Sequence, residues 1–176
     1  MIDGFVLRPM RAADLAAYKA LRDAALAERP QAFTSDAETE LRRPPETYLA
    51  RLAGAADGGW PFTLTAWQGE RLIGAVTCER DARVKVSHVG KIVGMMVEPP
   101  ARGRGVGRAL LEACIAQARE RGLLMLTLSV TSDNAAAVDL YARTGFVRYG
   151  RLERAIRIGA RFHDKDLMVL ELDKRI

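Results

Sequence analysis

The chain reads as one mixed α/β domain over residues 1–176, with about seven strands flanked by four helices. Three observations predict this. Its 176 residues fit a single domain at roughly 100–200 residues each. A hydrophobic share of 49% with 28% charged residues is ordinary globular usage, which excludes disordered and collagen-like classes. Period-2 apolar runs also alternate with stretches of helical period, and a strand–loop–helix–strand unit occupies the centre.

Phe5 to Pro9 forms a short first strand. From Ala13 the residues Leu15, Tyr18, Leu21, Ala25 and Leu26 recur at helical spacing until Pro30 ends the helix. Gln31 to Pro45 is expected as a polar loop, and a second helix enters at Pro45 and runs to about Ala53. Gly54 to Gly59 is a turn-rich break. Phe62–Gln68 and Arg71–Glu79 are β-rich runs around Gly69, which predicts a hairpin. A further strand is expected from Val86 to Val97, stopped by Pro99 and Pro100 because proline cannot donate to a ladder. Val106, Leu110, Leu111, Cys114, Ile115 and Ala118 then stripe one face of an amphipathic helix, closed by Gly122 at a C-cap position. Leu123 to Val130 is a strand, Asp133 and Asn134 make a turn, and Ala135 to Arg143 is helical. Phe146–Leu152 and Met168–Leu172 are the last two strands.

The longest nearly apolar run, Leu123 to Val130, is far short of the ~18 residues of a membrane helix, so no membrane partner is expected. Met1 to Gly4 contains no basic segment leading into an apolar stretch, so no export signal is expected. Cys78 and Cys114 are too few for a disulfide framework, which favours the reducing cytoplasm. The net charge is +5, yet the basic residues are scattered and only five of 27 are lysine. With alanine also abundant, this pattern reflects coding bias more than an anionic partner. Nucleic acid is not expected, because no stripe of aromatic and basic residues supports it. His88 and His163 have no companions at metal-ligand spacing, so no metal is expected either.

Chemistry is concentrated in Val97-Glu98-Pro99-Pro100-Ala101-Arg102-Gly103-Arg104-Gly105-Val106-Gly107-Arg108. A strand ends, three alternating glycines follow, and a helix begins at once. Glycines let successive N–H groups face one concavity, and a helix N-terminus adds unpaired donors and partial positive charge. Arg102, Arg104 and Arg108 add to a setting suited to a pyrophosphate. The dinucleotide fingerprint fails because Arg108 stands where its third glycine belongs. The P-loop fails as well, since Gly90-Lys91 is followed by Ile92. A bland connecting turn is the alternative.

Arg102-x-x-Gly105-x-Gly107, preceded by Val97-x-Pro99 and followed by Leu110-Leu111, resembles the acyl-CoA-binding motif of the GCN5-related N-acetyltransferases, the GNAT family. Asn134, Ala137 and Leu140-Tyr141-x-x-x-Gly145-Phe146 follow in that family's order and spacing. The resemblance is close over residues 86–150 and extends elsewhere by order of elements. It implies a sheet splayed between the strands ending at Val97 and starting at Leu123, with acetyl-CoA as acyl donor in the cleft. Its pantetheine arm would pair with backbone near Met96 and Val97. Amides from Arg102 through Gly103, Arg104, Gly105, Val106 and Gly107 to Arg108 would hold the pyrophosphate. Asn134 would contact the arm or a water, and Arg108 or Arg143 would meet the 3′-phosphate. Homodimers are common in the family.

The activity implied is direct attack of a primary amine, on a small molecule or a peptide, upon the thioester. Tyr141 is the candidate acid: a phenol near pKa 10 is close enough to a thiol near 8.5 to protonate a departing thiolate. Its other reading is a core aromatic. Family members often place a carboxylate on the strand before the loop, but 91–97 contains none. The base is therefore left among Glu98, whose other reading is a solvated loop charge, His88, whose other reading is a surface or core histidine, and water, while Glu38, Glu40 and Asp164 are candidates to line the acceptor site. A non-catalytic acyl-CoA-binding module is the alternative function.

Overall fold

The computed structural model describes residues 4–52, 54 and 59–173. Seven strands join one sheet in the order β1-β2-β3-β4-β5-β7-β6: β1 (Val6–Pro9), β2 (Phe62–Gln68), β3 (Arg71–Arg80), β4 (Val89–Val97), β5 (Met125–Thr131), β6 (Val147–Ile158) and β7 (Arg161–Glu171). Four α-helices flank it: α1 (Leu15–Glu28), α2 (Ala37–Leu41), α3 (Val106–Glu120) and α4 (Ala135–Arg143). All neighbours are antiparallel except β4 and β5, which are parallel.

Each face of the sheet carries its own core. On one side Val106, Leu110, Leu111, Cys114 and Ala118 of α3 pack with Tyr141 and Phe146 over Val76, Cys78 and Leu126. On the other, Leu15, Tyr18 and Leu21 of α1 pack with Tyr48, Leu72, Ala75 and Met96. Alternate residues of β3 thus serve opposite layers, as the strand period requires. Gly74 lets α3 approach closely, since a Cβ there would come 2.9 Å from the Leu110 Cδ1 atom.

The structure corrects several expectations, and β5 begins at Met125 rather than Leu123. The expected polar loop contains α2, started by Asp36, whose carboxylate accepts from the Thr39 N–H. Residues 45–52 form a 3-10 helix rather than an α-helix. The strand expected from Val86 begins at Val89, because Val84–Val86 makes a 3-10 turn of its own. The last two strands are longer than their apolar cores, 12 and 11 residues, and form a hairpin whose polar, exposed positions hide it from a hydrophobic count. The expected helix end at residue 53 and residues 55–58 of the expected turn lie outside the described residues.

A buried polar knot ties α1 to α2 and the 45–52 turn. The Glu40 carboxylate accepts from Arg22 Nε at 3.2 Å and from the Tyr48 hydroxyl, and Arg43 Nη1 stands 3.1 Å away. Burial alone would raise Glu40, but the bonds from Tyr48 and Arg22 outweigh it and hold the carboxyl below its usual range. Burial and the same bond push the Tyr48 phenol up to about 12. Glu40→Ala leaves the Arg22 charge enclosed, so urea titration is expected to show a loss of about 3 kcal/mol. A change below about 1 kcal/mol would mean that the knot is dispensable.

Candidate functional site

β4 and β5 pair only at Val89–Lys91 with Met125–Thr127. β4 then runs on to Val97 bonded to β3 alone, while β5 continues along β7. The strands diverge, and the edge of β4 facing the gap is left open. A cleft of about 440 Å³ opens here, lined by Met95, Met96, Val97, Arg102, Gly103, Gly105, Gly107, Arg108 and Asn134 together with Ala25, Arg29 and Phe33.

The loop after β4 fits an anion. Gly103 and Gly105 adopt left-handed φ of +73° and +82°, and a Cβ on either would meet nothing within 4 Å. Their need for glycine is therefore conformational rather than steric. Gly105 is the N-cap of α3 and supplies no side-chain cap. The first main-chain bond of the helix is Ala109 N–H to Gly105 C=O, which leaves the amides of Val106, Gly107 and Arg108 free to face a ligand. Gly107 lies at the cleft floor, where a Cβ would stand 3.4 Å from both Leu140 and Met95.

The loop arginines differ in their ties. Arg102 is held by both oxygens of Glu28 at 2.6 Å, and its Nε donates to the Val97 carbonyl at 3.0 Å. It clamps the end of α1 to the end of β4. Arg108 pairs with Glu112 one turn on, at 2.7 Å. Arg143 pairs with Asp139. No described residue pairs with Arg104. Asn134 caps α4 by accepting from the Ala137 N–H and also accepts from Arg29 Nη1, each at 3.4 Å.

Tyr141 is 7% exposed and is not itself among the residues lining the cleft; it packs edge-on against Phe146 in the core, with ring centroids 5.9 Å apart, while its neighbours Ala137 and Leu140 do line the cleft. Burial pushes its phenol well above the ordinary value, so it stays protonated. Glu98 stands outside the cleft lining. Its carboxylate is only 14% exposed and lies 2.8 Å from Arg71 Nη2, so it is neither a free loop charge nor aimed at the gap. His88 is exposed, just before the far end of β4. Glu38 is exposed and paired with Arg42. Asp164 accepts from the Arg154 N–H at 2.9 Å, within the β6–β7 hairpin. Sequence reasoning missed Ala25, Arg29 and Phe33. They come from α1 and the loop after it, where the one available signal was an aromatic residue in a polar stretch.

A family model described as the Acetyltransferase (GNAT) family matches residues 18–146, which takes in the splay, the glycine loop and Tyr141. The chain belongs to the GNAT family. It is 35% identical over 96 residues to N-alpha-acetyltransferase 30 of Schizosaccharomyces pombe, covering 54% of this chain and 64% of that protein. It is also 35% identical over 150 residues to a mycothiol acetyltransferase of Salinispora tropica, covering 84% of this chain and 46% of that one. The chain thus spans less than two-thirds of either relative. A GNAT-family acetyltransferase of Streptococcus pneumoniae superposes with a TM-score of 0.81 at 28% identity, covering 95% of this chain and 99% of that one. Among the described residues no helix is long and apolar enough to cross a membrane.

Gly105→Val forces a β-branched side chain into left-handed backbone at the N-cap of α3. Calorimetry with coenzyme A is expected to show at least about tenfold weaker binding, with the fold retained by circular dichroism. Unchanged affinity would contradict the assignment of this loop as an anion cradle.

Proposed function

We propose that the chain is an acetyl-CoA-dependent N-acetyltransferase that acetylates a primary amine by direct transfer. The observation that carries this reading is the conjunction of an open β4 edge with an uncapped, glycine-led helix N-terminus one short loop away. The first suits an extended amide-bearing arm, and the second suits its pyrophosphate.

When bound, acetyl-CoA supplies an activated acyl carbonyl. The residues of the chain do the rest. Met95, Met96 and Val97 offer the main chain along which the arm lies. Amides of Gly103 to Arg108 hold the phosphates, and Arg104, with no described ion-pair partner, adds charge at the rim. Asn134 sets the opposite wall. Tyr141 holds a proton that its burial keeps in place at neutral pH, and it gives that proton to the sulfur as the C–S bond breaks. The attacking amine must arrive neutral, with its lone pair free, and gives its own proton to solvent water as the C–N bond forms. Glu98 has no part in proton transfer here, because Arg71 already holds it; it positions the end of β4 against β3.

Thiol release with acetyl-CoA and a panel of amines tests the activity. Tyr141→Phe is expected to lower kcat by about 10²-fold with coenzyme A affinity unchanged. In the parent protein kcat/KM is expected to climb with pH as the acceptor amine deprotonates. No descending limb from Tyr141 is expected up to about pH 10, since its folded value lies above the ordinary one. An unaltered rate in the Phe variant would remove Tyr141 from the mechanism. Coenzyme A binding with no amine turned over would favour the acyl-CoA-binding module instead.

A further inference from the structure

Three arginines line the cleft: Arg29, Arg102 and Arg108. Two of them are engaged at short range. Arg102 meets both oxygens of Glu28 at 2.6 Å, and Arg108 meets Glu112 at 2.7 Å. Arg29 is held far more loosely. Its Nε stands 3.7 Å from Glu28 Oε1, beyond hydrogen-bond reach. Its Nη1 donates to Asn134 Oδ1 at 3.4 Å, an oxygen that already accepts from the Ala137 N–H. Glu28 is committed elsewhere, because the bond from Arg102 is the largest cause holding its carboxyl below the usual range. The Arg29 side chain is 43% exposed. Its charge is therefore accessible at the cleft and has no close carboxylate among the described residues.

Its position is set from two directions. Arg29 is the C-cap of α1, directly after the glutamate that grips Arg102 at the start of the glycine loop. Its contact with Asn134 reaches the N-cap of α4 on the opposite wall. The guanidinium thus bridges the mouth of the cleft between loop and helix. The chain beyond it is fastened on the far side of the parted strands. Thr131 of β5 donates to the Gln31 carbonyl at 2.6 Å, and Lys165 Nζ of β7 donates to Thr34 Oγ1 at 3.0 Å. These ties hold the Arg29 backbone beside the gap before any ligand arrives, which limits the ordering cost of binding. A phosphate offers charged oxygens, to which a guanidinium fork binds more strongly than to one neutral amide oxygen.

We propose that Arg29 is a phosphate-binding residue for the coenzyme A diphosphate, exchanging its long contact with Asn134 for the ligand. The inference rests on the acetyltransfer reading and adds to its site a residue from outside the glycine motif. Arg102, the arginine of that motif, ties α1 to the loop through Glu28. Arg29, next to that same glutamate, supplies the mobile positive charge in its place. The diphosphate is the part assigned, because Arg29 stands between the glycine loop and Asn134. Those are the two walls between which the chain from diphosphate to arm passes in the acetyltransfer reading.

A series of truncated ligands tests this in the parent protein, Arg29→Gln and Arg29→Lys, with circular dichroism checking the fold of each. Calorimetry gives the affinity for coenzyme A and for 3′-dephospho-coenzyme A. Titration of backbone amide resonances gives the affinity for pantetheine, which carries no phosphate. Arg29→Gln is expected to weaken both nucleotides by the same factor, about tenfold, as loss of a charged hydrogen bond does. Arg29→Lys should lose less, since it keeps the charge without the fork. Pantetheine should bind all three proteins equally. Unchanged nucleotide affinity in Arg29→Gln overturns the proposal. A loss for coenzyme A alone overturns it too, by placing Arg29 at the 3′-phosphate. An equal loss for pantetheine overturns it by making Arg29 a support of the cleft wall. All three results leave acetyltransfer intact. A parent protein that binds neither nucleotide defeats the acetyltransfer reading and this inference together.

Discussion

After the pairing of Val89–Lys91 with Met125–Thr127, the two parallel strands at the centre of the sheet part company. A strand edge at the middle of a sheet normally spends its N–H and C=O groups on a neighbour, and leaving them open is costly unless water or a ligand takes them. Here the exposed edge is maintained from both sides. β5 remains bonded to β7 along its whole length, and Thr131 at its end donates to the Gln31 carbonyl at 2.6 Å. β4 stays on β3, its direction altered by the bulge at Gly94 and ended by Pro99 and Pro100. The gap is a consequence of how well each strand is held elsewhere.

Charged contacts fix the frame of this gap more than they furnish its chemistry. Arg102, which the motif places among ligand-binding residues, spends its guanidinium on Glu28 and Val97. That ties α1, on one face of the sheet, to the mouth of a cleft whose floor belongs to the other. Glu98 is used in the same way against Arg71. Under the proposed function, anion binding falls mainly to backbone amides, which are set by glycine geometry and cost no side-chain ordering when a ligand arrives.

Much of this was legible in the residues. Alternating glycines between a β-run and an amphipathic stripe locate the loop that leads into α3, because φ above zero and an uncapped helix start leave a direct mark on composition. The splay followed only from the family resemblance, since pairing partners are non-local. The boundaries that failed did so for physical reasons. α2 is five residues long and is stabilised by an Asp36 cap and the Glu40–Arg22 pair rather than by an apolar stripe. The β6–β7 hairpin carries exposed Arg and Tyr where a period-2 reading looks for buried residues. The role of Glu98 was undecidable from sequence, because nothing near it announces Arg71 as a partner 27 residues earlier.

The central claim is that the parted strands and the glycine-led start of α3 together receive a coenzyme A thioester. Titrating the isotopically labelled protein with coenzyme A and following its backbone amide resonances tests this most directly. Shifts are expected to concentrate at 95–97, 103–108 and Asn134, with the distal β6–β7 hairpin silent. Saturable binding whose shifts fall elsewhere, or no shift at the Gly105 to Arg108 amides at millimolar ligand, would contradict the account.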